Sequence, residues 1–347
     1  MIEIIEEKEY WDDFVSTCKE SDFYHTFDYH MIAKGDGKPV LLKYSKGKSV
    51  IALPLLIRKI QNTPYYDATS VYGYPGPLCQ NIEGGFDSQK YATELLNYFS
   101  KNNIISVFSR LNPFIALQQE VLEKIGGIEK KGVVISIDLK KDIEQQRQDF
   151  GRRLKGQLNR IRRHCYATKA NNAQEFRDFK NLYRENMDRV NAKPMYYFDD
   201  EYFNVLTESN SFNTHTLLTK HKETDETIGA CMFIYKNATV HYHLSGTRGD
   251  SLPLMPIKLL IDEMRIMANE LGLSHFNLGG GLGGANDSLL QFKSSFSKNM
   301  VDFCVWKLVV NPIAYQKLVA ERNIPETVNF FPLYRYDGEL LLVKNGC

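Results

Sequence analysis

A glycine-rich segment in the last quarter of the chain carries the sharpest chemical signal. Leu278–Gly284 contains five glycines and directly follows a predicted strand. Glycines let the backbone approach a ligand closely and present amides to an anion. The segment lacks the Gly-Lys-Ser/Thr ending of a P-loop and the spacing of a dinucleotide fingerprint. We expect Gly279, Gly280 and Gly281 to bind a donor group, with a purely structural turn as the alternative.

A lysine lies between aromatic residues just after this segment, in Phe292-Lys293-Ser294-Ser295-Phe296. The apolar spacing predicts a short helix that begins near Asp287. An ammonium group in partly apolar surroundings can stabilise a developing oxyanion, which is the main requirement of acyl transfer. The alternative is a surface lysine between two core phenylalanines.

Basic residues concentrate in the middle of the chain. Between Arg147 and Lys169 there are eight lysines and arginines and one acid, Asp149. At helical spacing, Lys155, Arg162 and Arg163 would form a stripe together with an asparagine. Such a stripe attracts RNA backbone, coenzyme phosphates or a diphosphate-linked substrate. A solvated connector helix is the alternative, but acids would then be mixed among the bases.

Composition and charge exclude several classes of protein. The chain has 347 residues, of which 43% are hydrophobic and 24% charged, so it is neither disordered nor fibrous. Lysines and arginines number 43 against 42 acids, and the net charge of +1 excludes a globally basic nucleic-acid coat but not a local basic patch. The length favours two domains.

The sequence predicts a cytoplasmic protein without a transmembrane helix. Residues 1–7 are acidic where a signal peptide would be basic, and the longest apolar run, residues 50–57, is interrupted by Pro54. The six cysteines are scattered, with no C-x-x-C pair and no histidine at zinc-ligand spacing. We expect reduced thiols and no metal site.

The alternation of segment types predicts a mixed α/β fold, in the broad sense that includes α+β. The first half contains predicted strands at 40–44, 49–57, 104–111 and 133–138 and helices at 8–18, 88–102 and 116–125. The second half contains predicted helices at 176–186, 200–207 and 256–271 and strands at 214–219, 227–235, 239–245 and 275–278. The similar order of elements predicts two related domains, residues 1–145 and residues 146–347, the second opening with the basic helix.

The glycine-rich strand end followed by Phe-Lys-x-x-Phe resembles the C-terminal signature of the Fem (FemABX-like) family of aminoacyl-tRNA-dependent peptidyltransferases. Tyr242–Thr247, a gap and Leu254-Met255-Pro256 leading into a helix are similar to the strand, gap and helix upstream in that family. Arg189–Tyr197 and Tyr24–Tyr29 resemble two further family segments. The resemblance implies two tandem domains of the GNAT acyltransferase type. No heptad segment is present, so the coiled-coil arm of some members is not expected.

The resemblance also implies roles for individual residues. It makes Phe292 and Lys293 the catalytic aromatic-lysine pair. It places Arg189, Tyr197 and Ser245 at the acceptor. A further acceptor residue is either Tyr242 or His243, which are neighbours in the sequence. Lys34 is also placed at the acceptor, although it is one position out of register with the family's lysine. The general base stays open between Asp287, His241, His243 and the substrate itself.

Three functions remain open at this point. The first is a Fem-type aminoacyltransferase that moves an aminoacyl group from aminoacyl-tRNA to an amine of a peptidoglycan precursor, nucleotide- or lipid-linked, with peripheral membrane association in the latter case. The second is a GNAT N-acetyltransferase that uses acyl-CoA on an amino sugar or another envelope intermediate. The third is a non-catalytic RNA-binding protein. Neither enzyme would need a tightly bound cofactor, because the donor is itself a substrate.

Overall fold

The computed structural model describes residues 2–82, 86–322, 324–325 and 328–336. The strands and helices of the chain up to the middle are β1 (Ile2–Ile5), α1 (Lys8–Thr17), α2 (Phe27–Ala33), β2 (Lys38–Lys46), β3 (Ser49–Lys59), β4 (Tyr66–Thr69), β5 (Leu78–Gln80), α3 (Ser88–Lys101), β6 (Ile104–Arg110), α4 (Gln118–Leu122) and β7 (Gly127–Asp138). The remainder contains α5 (Ile143–Gln148), α6 (Arg152–His164), β8 (Cys165–Lys169), α7 (Ala173–Arg189), α8 (Asp200–Glu208), β9 (Asn213–His221), β10 (Thr227–Lys236), β11 (Thr239–Thr247), α9 (Pro256–Glu270), β12 (His275–Gly279), α10 (Ser288–Ser294), β13 (Met300–Val309) and α11 (Pro312–Ala320).

The chain forms two compact units that are discontinuous in sequence. Among the described residues, those within 2–19, 30–130 and 304–336 form unit 1, and those within 20–29 and 131–303 form unit 2. The two later boundaries fall inside β7 and β13, so each of these strands runs from one unit into the other along the chain. The sequence predicted domains 1–145 and 146–347; in the structure, pairing of β13 with β6 joins residues 305–309 to the N-terminal unit.

Unit 1 is built around one mixed sheet, ordered β1-β2-β3-β4-β6-β13, with β5 paired to β3. All neighbours are antiparallel except β4 and β6, which are parallel and joined through α3. The helix buries Tyr91, Leu95 and Phe99, which recur every four residues and therefore face the sheet. Asp87 caps α3 by accepting a hydrogen bond from the Lys90 amide at 2.9 Å.

Unit 2 repeats this topology with the strand order β8-β9-β10-β11-β12-β7. Its parallel pair is β11 and β12, joined through α9, and its other pairs are antiparallel. Phe233, Leu260 and Phe276 lie in its core and are fully buried. The recurrence of four antiparallel strands, a helical crossover to a parallel fifth strand and an antiparallel sixth confirms the expected pair of related α/β domains.

Most predicted elements are present, and the differences have local causes. The predicted helix 116–125 is shorter, as α4, because Leu117 before it has φ 66° and cannot belong to the helix; α4 ends at Leu122. The strand predicted at 133–138 begins earlier, as β7. The longest helix in the described residues is α7, with 17 residues, so this part of the chain contains no extended helical arm.

Candidate functional site

Lys293 lies where the end of β12 meets α10. Its side chain points away from solvent, and the residue is only 7% exposed. The ammonium donates a hydrogen bond to the Gly280 carbonyl oxygen at 2.6 Å and lies 6.0 Å from the centre of the Tyr242 ring. Leu290 on the same short helix and Phe296 two residues after its end are buried in the core of unit 2 and anchor the helix there. The lysine is therefore held by its helix, by a glycine carbonyl and by an aromatic ring.

Burial changes the acid–base chemistry of this lysine. Removal from water lowers the pKa of Lys293 to about 8, and the negative charge of Asp287 acts in the opposite direction. The side chain is then mostly protonated at neutral pH and loses its charge just above it. An ammonium in this state can stabilise an oxyanion or exchange a proton with a substrate near physiological pH.

Tyr242 and Ser245 continue the site along β11. Their hydroxyl groups share a hydrogen bond of 2.5 Å, although residues three apart in a regular strand lie on opposite faces. The pairing with β10 explains this, because it changes register between Met232 and Phe233 and leaves His243 as an extra residue. This β-bulge turns Ser245 to the same side as Tyr242.

His243 lies in a different environment from Tyr242. Its Nε2 atom is 3.0 Å from the Tyr202 hydroxyl, and its ring packs edge-on against Phe23 at 5.6 Å. Burial, reinforced by the neighbouring His241, lowers the pKa of His243 to about 3, so the imidazole is neutral at physiological pH. Of the two alternatives from the sequence, Tyr242 and not His243 is the residue that accompanies Lys293.

His241 forms a second buried polar cluster. Its Nε2 atom lies 2.8 Å from an Asp22 carboxylate oxygen, and its Nδ1 atom lies 3.2 Å from the Asn277 amide nitrogen. All three residues are at most 3% exposed. Because side chains alternate along a strand, His241 faces away from Tyr242. Its two ring nitrogens are therefore engaged within the protein, away from Lys293.

The glycine segment forms a tight loop beside Lys293. A Cβ atom at Gly280 would lie 2.5 Å from the Val133 carbonyl oxygen, and one at Gly281 would lie 2.0 Å from the Ala285 carbonyl oxygen. Gly279 has φ 77°, a left-handed conformation that favours glycine. The glycines are thus required for close packing of the loop. Whether their amides also bind a donor stays a prediction.

Asp287 ties this loop to α10. One carboxylate oxygen accepts the Leu290 amide at 2.9 Å as the helix cap, and the other accepts the Leu282 amide at 2.8 Å. Burial acts to raise the pKa of Asp287, but these backbone hydrogen bonds outweigh it and leave the pKa below its usual value. A carboxylate with a lowered pKa is a weak base, so Asp287 is better suited to positioning than to proton abstraction.

The residues predicted to contact the acceptor occupy two regions. The Arg189 guanidinium donates to the Thr247 carbonyl oxygen at 2.9 Å, which attaches the end of α7 to the end of β11. The Tyr197 hydroxyl donates to an Asp188 carboxylate oxygen at 2.9 Å and is 43% exposed. Lys34 belongs to unit 1, where it is half-buried in the turn after α2.

The basic stretch forms the predicted helix, α6, but with a different exposed face. Arg162 is engaged by acids of α9, with its Nη2 atom 2.7 Å from Asp262 and its Nη1 atom against Glu263. The Lys155 ammonium donates to the Gln148 carbonyl oxygen at 3.3 Å. The buried face of the helix carries Leu154, Leu158 and Ile161.

Four arginines form the exposed face of α6 instead. At about 100° per residue, Arg152, Arg153, Arg160 and Arg163 fall within roughly a third of the helix circumference, opposite the buried residues. All four are exposed, and none takes part in an ion pair within the described part of the chain. Of the predicted stripe, Arg163 lies on this face, whereas Lys155 and Arg162 flank it.

Sequence reasoning missed one cation beside Phe292, namely Lys258 in the first turn of α9. Its ammonium lies 5.7 Å from the centre of the Phe292 ring. A cation is disfavoured at a helix N-terminus by the helix dipole. The sequence signal for this residue was therefore an unfavourable cation at a helix start: Lys258 lies two residues after Pro256, where a helix was predicted to begin.

Among the residues that the structure describes, no group of three or more histidines, cysteines, aspartates or glutamates is arranged to hold a metal ion. In the same residues, no helix is both long enough and apolar enough to cross a membrane.

Comparison with known proteins places this site in a recognised domain. Residues 140–293 match the model of the acetyltransferase (GNAT) domain, so the match ends at Lys293. No curated protein sequence matches the chain.

Solved structures with the same fold are distant in sequence. The structure of FemX is similar to this one with a TM-score of 0.68 at 13% identity, over 91% of this chain and 99% of that chain. A conserved protein of unknown function from Bacteroides thetaiotaomicron gives a TM-score of 0.60 at 10% identity, over 89% and 100% of the two chains. The C-terminal domain of a proposed lysylphosphatidylglycerol synthetase from Agrobacterium fabrum gives 0.57 at 10% identity, over 90% and 95%.

These similarities confirm the fold expected from the sequence resemblance. At such low identity they establish the fold alone, and the domain match supplies the chemical class. The chain therefore has a FemX-like α/β fold that carries a GNAT acetyltransferase domain, and we identify it as an acyltransferase.

Proposed function

We propose that this acyltransferase is an aminoacyltransferase of the Fem type, which moves an aminoacyl group from aminoacyl-tRNA to an amine of a peptidoglycan precursor. The observation that carries the proposal is the buried ammonium of Lys293, 2.6 Å from the Gly280 carbonyl oxygen and beside the Tyr242 ring. Lys293 is also the lysine of the aromatic-lysine pair that the sequence resemblance implies.

Lys293 would stabilise the oxyanion of the tetrahedral intermediate. Attack of an amine on an ester carbonyl forms a C–N bond and places negative charge on the carbonyl oxygen, before the C–O bond to the donor breaks. A positive charge fixed in a poorly solvated position stabilises that oxygen more strongly than a solvated charge would. Tyr242, hydrogen-bonded to Ser245 at 2.5 Å, would line the same position and contact the acceptor.

The surroundings of the candidate bases favour proton removal by the substrate itself. The carboxylate of Asp287 is fixed by two amides and has a lowered pKa. The imidazole of His241 is engaged by Asp22, and the neutral His243 lies against Tyr202. An amine whose own pKa is close to neutral needs no enzymic base for attack, and the donor's leaving oxygen can take up the proton.

The charge of α6 supports RNA as the donor. Arg152, Arg153, Arg160 and Arg163 present an exposed cationic face of the kind that binds a phosphate backbone. A coenzyme diphosphate would need a helix N-terminus with free amides, and the start of α9 offers few of them. Pro256 has no N–H group there, and the Lys258 amide already donates to the Met255 carbonyl oxygen at 3.0 Å.

Transfer of label from two donors tests the proposal. The protein is incubated with radiolabelled aminoacyl-tRNA or radiolabelled acetyl-CoA, together with nucleotide-linked and lipid-linked cell-wall precursors. We expect label to reach a precursor from aminoacyl-tRNA. Label that arrives only from acetyl-CoA would replace the proposed donor. RNA binding without transfer from either donor would favour the non-catalytic alternative.

A further inference from the structure

A chain of hydrogen bonds connects the buried cluster around His241 to the loop that holds Lys293. The Asn277 side chain on β12 bonds in two directions: its Oδ1 atom accepts the Gly279 amide at 2.8 Å, and its Nδ2 atom lies 3.2 Å from His241 Nδ1. The next residue of the loop, Gly280, provides the carbonyl oxygen that accepts the Lys293 ammonium at 2.6 Å. The Asn277 side chain therefore fixes the backbone one residue before the contact that holds the lysine.

The directions of these hydrogen bonds follow from one another. Because Asn277 Oδ1 accepts from an amide, its Nδ2 atom faces His241, and an amide nitrogen can only donate. The His241 Nδ1 atom is therefore the acceptor and carries no proton. Its Nε2 atom carries the proton and donates to an Asp22 carboxylate oxygen at 2.8 Å. The network thus assigns a single tautomer to His241.

The Asp22 carboxylate has a fixed orientation of its own. Its Oδ1 atom accepts the Phe23 amide at 2.6 Å as a helix cap, and its Oδ2 atom is the one that faces His241. Asp22, His241 and Asn277 are all buried. A buried donor or acceptor that loses its partner costs its full desolvation penalty. Reversal of one bond in the chain therefore forces reversal of the next.

The glycine loop depends on the orientation of the Asn277 amide group. Pairing between β12 and β7 changes register between Asn277 and Gly279, and Gly279 has φ 77°, so the backbone leaves the regular strand at this point. The Asn277 side chain accepts the Gly279 amide there. A half-turn of the side-chain amide would place Nδ2, a second donor, against the Gly279 amide. The loop would then lose this anchor, and the Gly280 carbonyl oxygen would shift with it.

We infer that Asp22, His241 and Asn277 are positioning residues for the ammonium that the proposed reaction uses. They fix the one orientation of the Asn277 amide that anchors the glycine loop, and with it the carbonyl oxygen that accepts the Lys293 ammonium. The inference rests on the proposed function, because it assigns the cluster to the placement of the group that stabilises the oxyanion. The three residues act through the loop backbone, since His241 faces away from Tyr242 on β11.

Two variants separate the direction of the hydrogen bonds from packing. In Asp22→Asn, the Oδ1 atom still has to accept the Phe23 amide, so the new amide nitrogen faces His241 Nε2 and donates to it. The histidine then carries its proton on Nδ1, which turns the Asn277 amide and leaves the Gly279 amide without its acceptor. The double variant Asp22→Asn/Asn277→Asp reverses the chain. One oxygen of the new carboxylate accepts from His241 Nδ1, and the other accepts the Gly279 amide, so the loop contact returns at unchanged net charge.

Nuclear magnetic resonance tests the chain without any substrate. In protein labelled with nitrogen-15 histidine, we expect His241 to be protonated on Nε2 in the wild type and on Nδ1 in Asp22→Asn. Exchange of the Gly279 amide with deuterium should be about three- to tenfold faster in Asp22→Asn, as expected for loss of one hydrogen bond. It should return to the wild-type rate in the double variant. An unchanged tautomer or unchanged exchange in Asp22→Asn would overturn the inference.

Transfer kinetics connect the chain to the reaction. Asp22→Asn should lower kcat about a hundredfold with little change in KM, because a misplacement of about 1 Å at the reacting centre costs that much. The double variant should recover to within about tenfold of wild type. Asn269→Leu is the matched control, because the Asn269 amide donates to the Leu139 carbonyl oxygen at 2.8 Å, apart from this chain, and it should transfer as the wild type does.

The outcomes distinguish this inference from the proposed function. Normal transfer by Asp22→Asn, or no recovery in a double variant that thermal unfolding shows to be folded, would overturn the positioning role while leaving the transferase intact. If the wild type transfers no label but the tautomer and the Gly279 exchange change as expected, the proposed function fails and the control of the loop stands.

Discussion

Substitution of Lys293 by methionine tests whether its ammonium is truly desolvated. The pKa falls from 10.5 to about 8 on folding, and at about 1.4 kcal/mol per pKa unit this corresponds to a penalty of about 3 kcal/mol for the charged form. Methionine has a similar shape and no charge, so Lys293→Met removes the penalty. It also leaves the Gly280 carbonyl oxygen without its donor, at a cost of about 1–3 kcal/mol. The variant should therefore be at least as stable as the wild type at pH 7.

The lowered pKa of Lys293 determines whether the free energy of unfolding rises or falls with pH. Between pH 8 and 10.5 the unfolded lysine binds a proton that the folded lysine has lost, so stability rises with pH in this range. The penalty is fully present below pH 8 and absent above 10.5. The free energy of unfolding of the wild type minus that of Lys293→Met should therefore increase by about 3 kcal/mol between pH 7 and pH 10.5.

Urea unfolding of both proteins across this pH range measures the difference, and the subtraction cancels all other titrating groups. Lys298→Met is the matched control, because Lys298 is exposed and lies five residues further along the chain. Its difference curve should be flat. A flat curve for Lys293→Met, together with a loss of stability at pH 7, would refute the argument and make Lys293 a solvated structural donor.

Three further predictions concern the loop, its cap and the basic helix. Gly280→Ala should lower stability by about 1–3 kcal/mol and slow transfer, because its Cβ would meet the Val133 carbonyl oxygen at 2.5 Å. The control Gly156→Ala has nothing within 4 Å of its Cβ and should raise stability by about 0.5–1 kcal/mol in the same urea assay. Equal effects of the two substitutions would contradict the packing argument. Asp287→Asn should keep transfer within about tenfold of wild type, because asparagine also caps helices, and a loss of several hundredfold in the steady-state rate would instead make Asp287 the base. The double variant Arg160→Glu/Arg163→Glu should abolish RNA binding in fluorescence titrations. For the wild type, the logarithm of the binding constant should fall with the logarithm of the salt concentration, with a slope of about −0.7 per phosphate contact. Unchanged binding by the variant would show that α6 is not part of the RNA site.

Local patterns predicted most elements of the fold, and long-range pairing determined the rest. The spacing of Tyr91, Leu95 and Phe99 fixes α3 and its buried face without knowledge of the sheet. The membership of residues 304–309 in unit 1 depends on pairing between β13 and β6, about 200 positions apart in the sequence. No local signal in the sequence encodes such a pairing.

In the candidate site, too, some features follow from local sequence patterns and others depend on long-range pairing. Lys293 was identified by its aromatic neighbours, and the helix that carries it was predicted from the same spacing. The choice between Tyr242 and His243 required the β-bulge, which is set by the register of β10 against β11. The loss of Arg162 from the cationic face required acids located about 100 residues later, in α9.

Single-turnover transfer by Lys293→Met tests the central claim most directly. Radiolabelled aminoacyl-tRNA is mixed with excess protein and a cell-wall precursor at pH 7, and label in the precursor is followed over time for wild type and variant, with donor binding measured in parallel. Removal of one oxyanion donor typically lowers a rate by about 10²–10³, so the variant should transfer that much more slowly while binding the donor normally. A rate within a few-fold of wild type would contradict the assignment of Lys293 as the residue that stabilises the transition state.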